Sequence, residues 1–265
     1  MGADEMQLPR IDFSGIDPSA PGTGPWPAVR AQVMDALATF GCFDAHYPAL
    51  TPELRDALFD GAAKPLFALP LDVKRRNYHG PELPFHGHLG GRPGLDGYMS
   101  LGIVNGNKAE HIRSFADLMW PGGDGDGDGG VSARFWYGSH QDANLLSIVC
   151  QHEVDGLEVQ TKDGEWYPIK LSPTSLVVMV GNALRAWSNE RLHSPFHRIT
   201  TSGDSTRYSS ILFSVPRFVI QAPDELVDDE HPPRFKRHDY EEFVRFCVSE
   251  EGASHYDKLK AYCGV

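Results

Sequence analysis

A mainly β fold with helices packed on its outside is predicted by three observations. From residue 145 onward, short apolar runs alternate with tight-turn signals, the pattern of an antiparallel sandwich or jelly roll. Before residue 121 and after residue 239, apolar residues recur at helical spacing behind capping residues. A Gly/Asp tract at residues 122–130 separates the helical region from the strand-rich region.

The elements follow in order. Residues 8–13 form a short strand candidate, and a Pro/Gly-rich loop leads on to Pro25. Residues 26–40 predict a helix. Pro27 suits its first turn, Val29, Val33, Leu37 and Phe40 share one stripe, and Gly41 can stop it. Residues 42–47 read as a strand. The Thr51 hydroxyl and Pro52 open a second helix with a stripe of Leu54, Leu58 and Phe59. Pro65 and Pro70 are expected to break the next residues, leaving one more turn at 71–76. Residues 80–97 are rich in Gly, Pro and His. His79, His86 and His88 lack a third partner at metal-ligand spacing, so this stretch reads as a plain loop. Residues 115–120 look helical, and Pro121 ends them.

Asp124, Asp126, Asp128 and Gly129 match the opening of a calcium-binding EF-hand loop. Position twelve is Phe135 where a bidentate Glu is needed, so the tract reads as a self-repelling linker. Strands are then expected at 145–151, 157–161, 165–170, 175–180, 196–201, 207–215 and 218–221. Asp163-Gly164 closes a hairpin and Gly181-Asn182 ends the apolar strand 175–180. Asp239 caps a last helix through about Val248, with Phe243, Val244 and Cys247 facing inward.

Composition narrows the function. The 265 residues carry a formal charge of −12, with 24 Lys and Arg against 36 Asp and Glu. Nucleic acid is disfavoured, because phosphate contact needs clustered cations and Lys74-Arg75-Arg76 is short. The four cysteines, Cys42, Cys150, Cys247 and Cys263, form no Cys-x-x-Cys pair and read as free thiols in a reducing compartment. No apolar run is long enough to span a bilayer, and the N-terminus has no secretory pattern, so a cytoplasmic protein is expected.

The chemistry concentrates between residues 140 and 209. His140 and Asp142 are two apart, which places them on one face of a strand. With His197 from a distant strand they make two imidazoles and one carboxylate on one side of a metal. That donor set leaves open positions and suits non-haem Fe(II). Two ordinary surface histidines are the plain alternative, and His193 competes with His197 for the third position. Arg207 and Ser209 also share a strand face, which Ile211 and Phe213 continue, so that face is expected to point inward. An arginine there requires an anion. A carboxylate of a bound organic acid fits its fork, and a protein Asp would serve as well.

Longer runs carry a resemblance. Residues 139–142, 154–166, 178–189, 191–198 and 206–209 resemble the plant 2-oxoglutarate- and Fe(II)-dependent dioxygenases. Within them the chain is most similar to the glucosinolate side-chain oxygenases, with gibberellin oxidases more distant. Pro9 to Phe13, Phe40 to Phe43, Leu66 to Pro70 and Phe115 to Pro121 extend the resemblance to nearly the whole chain. It implies a distorted double-stranded β-helix, or jelly roll, flanked by helices. It places His140, Asp142 and His197 on the iron ligands and Arg207 and Ser209 on the residues binding the distal carboxylate of 2-oxoglutarate. It assigns no catalytic residue beyond those ligands. The implied reaction consumes O2, converts 2-oxoglutarate to succinate and carbon dioxide, and oxidises a small metabolite of plant specialised metabolism.

A single oxygenase domain over residues 1–265 follows, with a helical N-terminal region at 1–121, a linker at 122–130 and a jelly-roll catalytic region at 131–265. Relatives have several tens more residues between Pro121 and His140, including a Tyr that helps hold 2-oxoglutarate. Tyr137 is the nearby phenol that could replace it. Losing backing helices would expose apolar sheet, which favours association or a partner. The second reading is therefore a truncated or non-catalytic relative that keeps the metal site. Leu145, Phe213 and the loop 84–98 are candidates for the substrate pocket, and no oligomeric state is assigned.

Overall fold

Residues at alternate positions of β6 (Leu146–Gln151) and β9 (Ser175–Val180), among them Ser147, Val149, Val177 and Met179, turn inward. In a computed structural model, residues 8–80, 83, 86–90, 97–121, 136–200 and 205–265 are described. The first sheet has the order β1-β2-β9-β6-β11, and the second β5-β10-β7-β8. These are β1 (Arg10–Asp12), β2 (Cys42–His46), β5 (Trp136–His140), β6 (Leu146–Gln151), β7 (Leu157–Gln160), β8 (Trp166–Pro168), β9 (Ser175–Val180), β10 (His197–Thr200) and β11 (Ser209–Ser214). A small ribbon, β3 (Leu89–Gly90) with β4 (Met99–Ser100), stands apart from both sheets. The β1–β2 pair is parallel and the other pairings are antiparallel.

The two sheets share one apolar layer. Cys42, Val149, Val177 and Met179 come from the first sheet, Leu157 and Val159 from the second, and Ile169 follows β8. Leu157 is fully enclosed. Leu157→Ala is expected to cost about 2–5 kcal/mol by leaving a cavity between the sheets, measured by urea unfolding.

Helices cover the outside. Helix α1 (Trp26–Thr39) packs Val29, Ala36 and Leu37 against Ile11, Phe43 and Val180. Gly41 follows it with φ +74°, and a Cβ there would lie 2.3 Å from the His193 carbonyl oxygen, so only glycine fits that turn. In α2 (Pro52–Leu58) the Thr51 hydroxyl accepts from the Leu54 amide at 3.2 Å, as the capping pattern predicts. The predicted stripe is corrected, however. Leu54 is 55% exposed and Arg55 turns inward in its place, while Phe59 is buried as expected. Arg55 donates to the carbonyls of Pro173, Gln151 and His152, and these bonds offset the burial of its charge.

A π-helical turn, Phe59–Ala63, carries the chain directly into α3 (Lys64–Ala68). Pro65 sits in the first turn of α3 and does not break the path, since its missing N–H is not needed there. Pro70 does stop α3, ahead of α4 (Leu71–Lys74). Helix α5 (Ala109–Met119) is longer than expected and ends just before Pro121.

Helix α6 (Asn182–Trp187) is not signalled by the apolar pattern. It packs with α7 (Tyr240–Val248) and α9 (Lys258–Cys263) through Ala183, Ala186, Phe243 and Leu259. Between α7 and α9 lies the short α8 (Glu250–Ala253). Asp239 caps α7 as predicted, accepting from the amides of Glu241 and Glu242. Residues 218–221 make only an isolated bridge, Ile220 to His238.

The strand carrying Ser209 needs a second correction. It begins at Ser209, so Arg207 precedes it, and Ile211 and Phe213 are 43% and 49% exposed. Among the described residues β11 is an edge strand, paired with β6 alone. Its apolar side chains Ile211, Leu212 and Phe213 are also exposed. Phe213 is not a wall of an enclosed pocket, and Leu145 packs in the helical cluster around Ala183. The linker 122–130 and parts of the 84–98 loop lie outside the described residues, as does the Tyr137 side chain.

Candidate metal centre

Strand pairing brings the predicted ligands together. His197 opens β10 and stands directly opposite His140, the last residue of β5. Asp142 lies beyond the end of that strand, so the shared-face argument does not hold for it. The turn is held by other bonds. The Asn182 amide donates to the Asp142 carbonyl at 2.7 Å, and Gln141 Nε2 donates to the Ser194 carbonyl at 2.6 Å. A Cβ on Gly181 would sit 2.1 Å from the Asn144 carbonyl oxygen, so a glycine lets the two segments meet.

The donor atoms converge. Asp142 Oδ1 is 3.6 Å from His140 Nε2 and 3.7 Å from His197 Nε2. All three ligand atoms lie within 4.8 Å of one another, and the imidazole centroids are 4.3 Å apart. His140 Nδ1 faces the Gly138 carbonyl at 3.0 Å and His197 Nδ1 faces the Pro195 carbonyl at 3.5 Å. Placing the N–H on Nδ1 leaves each Nε2 lone pair for a metal. Burial and the neighbouring His197 push His140 down to about 4, so it is a neutral imidazole at physiological pH. Ser147 donates to Asp142 Oδ2, and Asn144 Nδ2 donates to Ser147 Oγ at 3.1 Å. The carboxylate is thus oriented with Oδ1 toward the imidazoles. No other group of His, Cys, Asp or Glu among the described residues is arranged to hold a metal, so His86 and His88 stay a loop.

His193, the competing candidate, takes no part in that cluster. Burial, with Lys162 and Arg185 nearby, pushes it down to about 4. Its folded pKa lies below the unfolded value of 6.5, so the unfolded chain binds more protons between the two. Stability is accordingly full above about pH 6.5 and falls as pH drops toward about 4. His193→Gln is expected to flatten that stretch of the stability profile, measured by urea unfolding at about pH 4.5, 5.5 and 7.

Arg207 reaches across the sandwich. A Cβ on Gly156, just ahead of β7, would lie 3.2 Å from Arg207 Cδ. The guanidinium meets Gln151 at the end of β6, Nη2 donating to Oε1 at 2.9 Å, and Nη1 donates to Ser209 Oγ at 3.3 Å. Its buried Nε–H has no partner among the described residues. Burial lowers its pKa to about 10, against the pull of Asp155, so it stays a cation. Gly156 lies three residues from Val159, the partner of His197, or about 10 Å of strand. A part-buried cation whose Nε–H has no partner among the described residues fits an incoming carboxylate.

Ser147 and Gln151 escape the sequence reading. Both are polar residues on the buried face of β6, and a polar residue at an inward strand position is the signal that could have found them.

Comparison with known proteins agrees with this site. Residues 125–216 match the 2OG-Fe(II) oxygenase superfamily. An Arabidopsis thaliana protein described as "Probable 2-oxoglutarate-dependent dioxygenase AOP1.2" is 34% identical over 97% of this chain and 96% of its own length. The chain belongs to the 2OG-Fe(II) oxygenase superfamily. As a member it is a 2-oxoglutarate- and Fe(II)-dependent dioxygenase by family, with an intact His-Asp-His set. The aligned stretch of AOP1.2 runs to 318 residues, more than the 265 here, so that relative carries residues without a counterpart in this chain.

Solved structures show the same fold. The dioxygenase for auxin oxidation from rice superposes with a TM-score of 0.64 at 27% identity, covering 91% of this chain and 95% of that one. The auxin-oxidising dioxygenase AtDAO1 from Arabidopsis thaliana, in a 2-oxoglutarate complex, gives 0.69 at 20% identity over 85% of this chain and all of its own. The core is therefore the double-stranded β-helix with flanking helices. No helix among the described residues is long and apolar enough to cross a membrane.

Proposed function

We propose that this oxygenase oxidises a C–H bond of a small metabolite with O2, converting 2-oxoglutarate to succinate and carbon dioxide. His140, Asp142 and His197 hold the Fe(II), which supplies the redox chemistry that O2 needs. Arg207 and Ser209 bind the far carboxylate of 2-oxoglutarate, the guanidinium through paired N–H donors and Ser209 through its hydroxyl. The observation that carries this reading is the buried Arg207 Nε–H, which has no partner among the described residues, in the same sandwich as the converged triad. Ser147 and Asn144 keep Asp142 turned toward the imidazoles, and the backbone carbonyls of Gly138 and Pro195 set the histidine tautomers. We read residues 1–265 as one oxygenase domain.

The test is anaerobic titration of the protein with Fe(II) and then 2-oxoglutarate, following metal-to-ligand charge-transfer absorption. A band that saturates with 2-oxoglutarate supports the assignment, and succinate release with a metabolite panel then follows turnover. Folded protein that binds Fe(II) yet gives no band refutes it.

One observation favours a second reading, a relative that keeps the metal site without turnover. Ile211, Leu212 and Phe213 lie exposed on edge strand β11, as loss of a backing layer would leave them. A charge-transfer band with no succinate formation across the panel would select that reading.

A further inference from the structure

Gln151 stands between two opposite charges. Its side chain is 1% exposed, and its Nε2 donates to Asp155 Oδ1 at 2.8 Å while its Oε1 accepts from Arg207 Nη2 at 2.9 Å. Only this orientation of the amide satisfies both neighbours, because a carboxylate cannot donate and a guanidinium cannot accept. The main chain at this point is fixed from outside. Arg55 donates to the carbonyls of Gln151 and His152, and Gln151 pairs with Ser209 across the β6–β11 ladder.

The consequence is chemical. Asp155 is close enough to act on the charge of Arg207, yet the amide lies between them. A direct Arg207–Asp155 fork would spend the donors and the charge that an organic carboxylate needs. A neutral amide accepts one N–H without neutralising the cation, and the Nε–H has no partner among the described residues.

We infer that Gln151 is a positioning residue that insulates Arg207 from Asp155 and so holds the guanidinium ready for the carboxylate of 2-oxoglutarate. This rests on the assignment of Arg207 given under Proposed function. The inserted amide sets co-substrate affinity while leaving the metal ligands untouched, since none of the groups it bonds belongs to the triad.

The experiment is anaerobic calorimetric titration of Fe(II)-loaded protein with 2-oxoglutarate, with Fe(II) affinity and thermal midpoint measured for each variant. Gln151→Glu, of the same size, places a carboxylate on Arg207 and is expected to weaken 2-oxoglutarate about tenfold or more with Fe(II) affinity unchanged. Gln151→Leu removes the spacer and is expected to weaken it similarly. Adding Asp155→Asn to Gln151→Leu should then restore at least half of the loss on a logarithmic scale. A merely structural role for Gln151 would show no such rescue.

Arg207→Ala separates the co-substrate assignment from the insulating role. If it binds 2-oxoglutarate like the parent, the underlying assignment fails. If it loses binding while Gln151→Glu keeps parental affinity, the assignment stands and the insulating role is overturned. Gln151→Leu without rescue by Asp155→Asn overturns it equally. Should Gln151→Leu not fold, the same-sized Gln151→Glu decides alone.

Discussion

Asp142→Ala is expected to yield a folded protein that no longer retains Fe(II). Asp142 is the one anionic donor among the three, and its Oδ1 faces both imidazoles at 3.6 and 3.7 Å. Without it two neutral imidazoles face the ion, and the divalent cation loses its only anionic ligand among the three. The loss should exceed the ~10–100-fold that follows removal of an outer hydrogen-bond partner. Ser147→Ala is the internal comparison. It removes only the donor to Oδ2 and should fall inside that ~10–100-fold range. Equilibrium binding of Fe(II) under anaerobic conditions measures both. Thermal midpoints for Asp142→Ala near the parent value confirm that the change is local, because the carboxylate sits outside the apolar layer between the sheets. Equal Fe(II) affinity in Asp142→Ala and parent protein would remove the triad from consideration.

Arg207→Ala is expected to keep Fe(II) and to lose 2-oxoglutarate. The guanidinium is a part-buried cation whose Nε–H has no partner among the described residues, so its truncation should weaken the co-substrate by about 2–5 kcal/mol, the usual cost of deleting one side of a buried charged hydrogen-bonded pair. Arg207→Lys is expected to recover little. An ammonium carries the charge without the planar fork, and it cannot hold Gln151 Oε1, Ser209 Oγ and a carboxylate in the present geometry. Charge-transfer absorption reads the effect directly, as a rightward shift of the 2-oxoglutarate titration at constant Fe(II). A variant that titrates like the parent places the co-substrate elsewhere.

The insulating glutamine and the outward-facing edge strand show where sequence reasoning ends. Asp239 and Thr51 announce their helices because a capping hydroxyl or carboxylate acts on amides two or three residues away. Asp163-Gly164 announces its hairpin for the same reason, since a tight turn is a local demand on φ. The identities of the ligands are legible too, because His140, Asp142 and His197 are chemically distinctive and recur in a spacing shared with a family.

Burial is less legible. Arg55 rather than Leu54 turns inward because distant carbonyls at the end of β6 and before β9 can satisfy its charge, and nothing within a turn of sequence reports them. Ile211 and Phe213 alternate like core residues, yet their strand lies at an edge with no layer over it among the described residues.

By itself, then, the sequence determined several of the helices and strands, the caps at Thr51 and Asp239, the Asp163-Gly164 turn, and the donor types for a metal and an acid. Those depend on residues close along the chain or on side-chain chemistry alone. The tertiary structure decided that Asp142 joins the histidines from beyond its strand, that Ser147 turns its carboxylate, and that Gln151 separates Arg207 from Asp155. Each of those is a contact between segments whose meeting is set by sheet register and packing, quantities to which every strand contributes and no single stretch encodes.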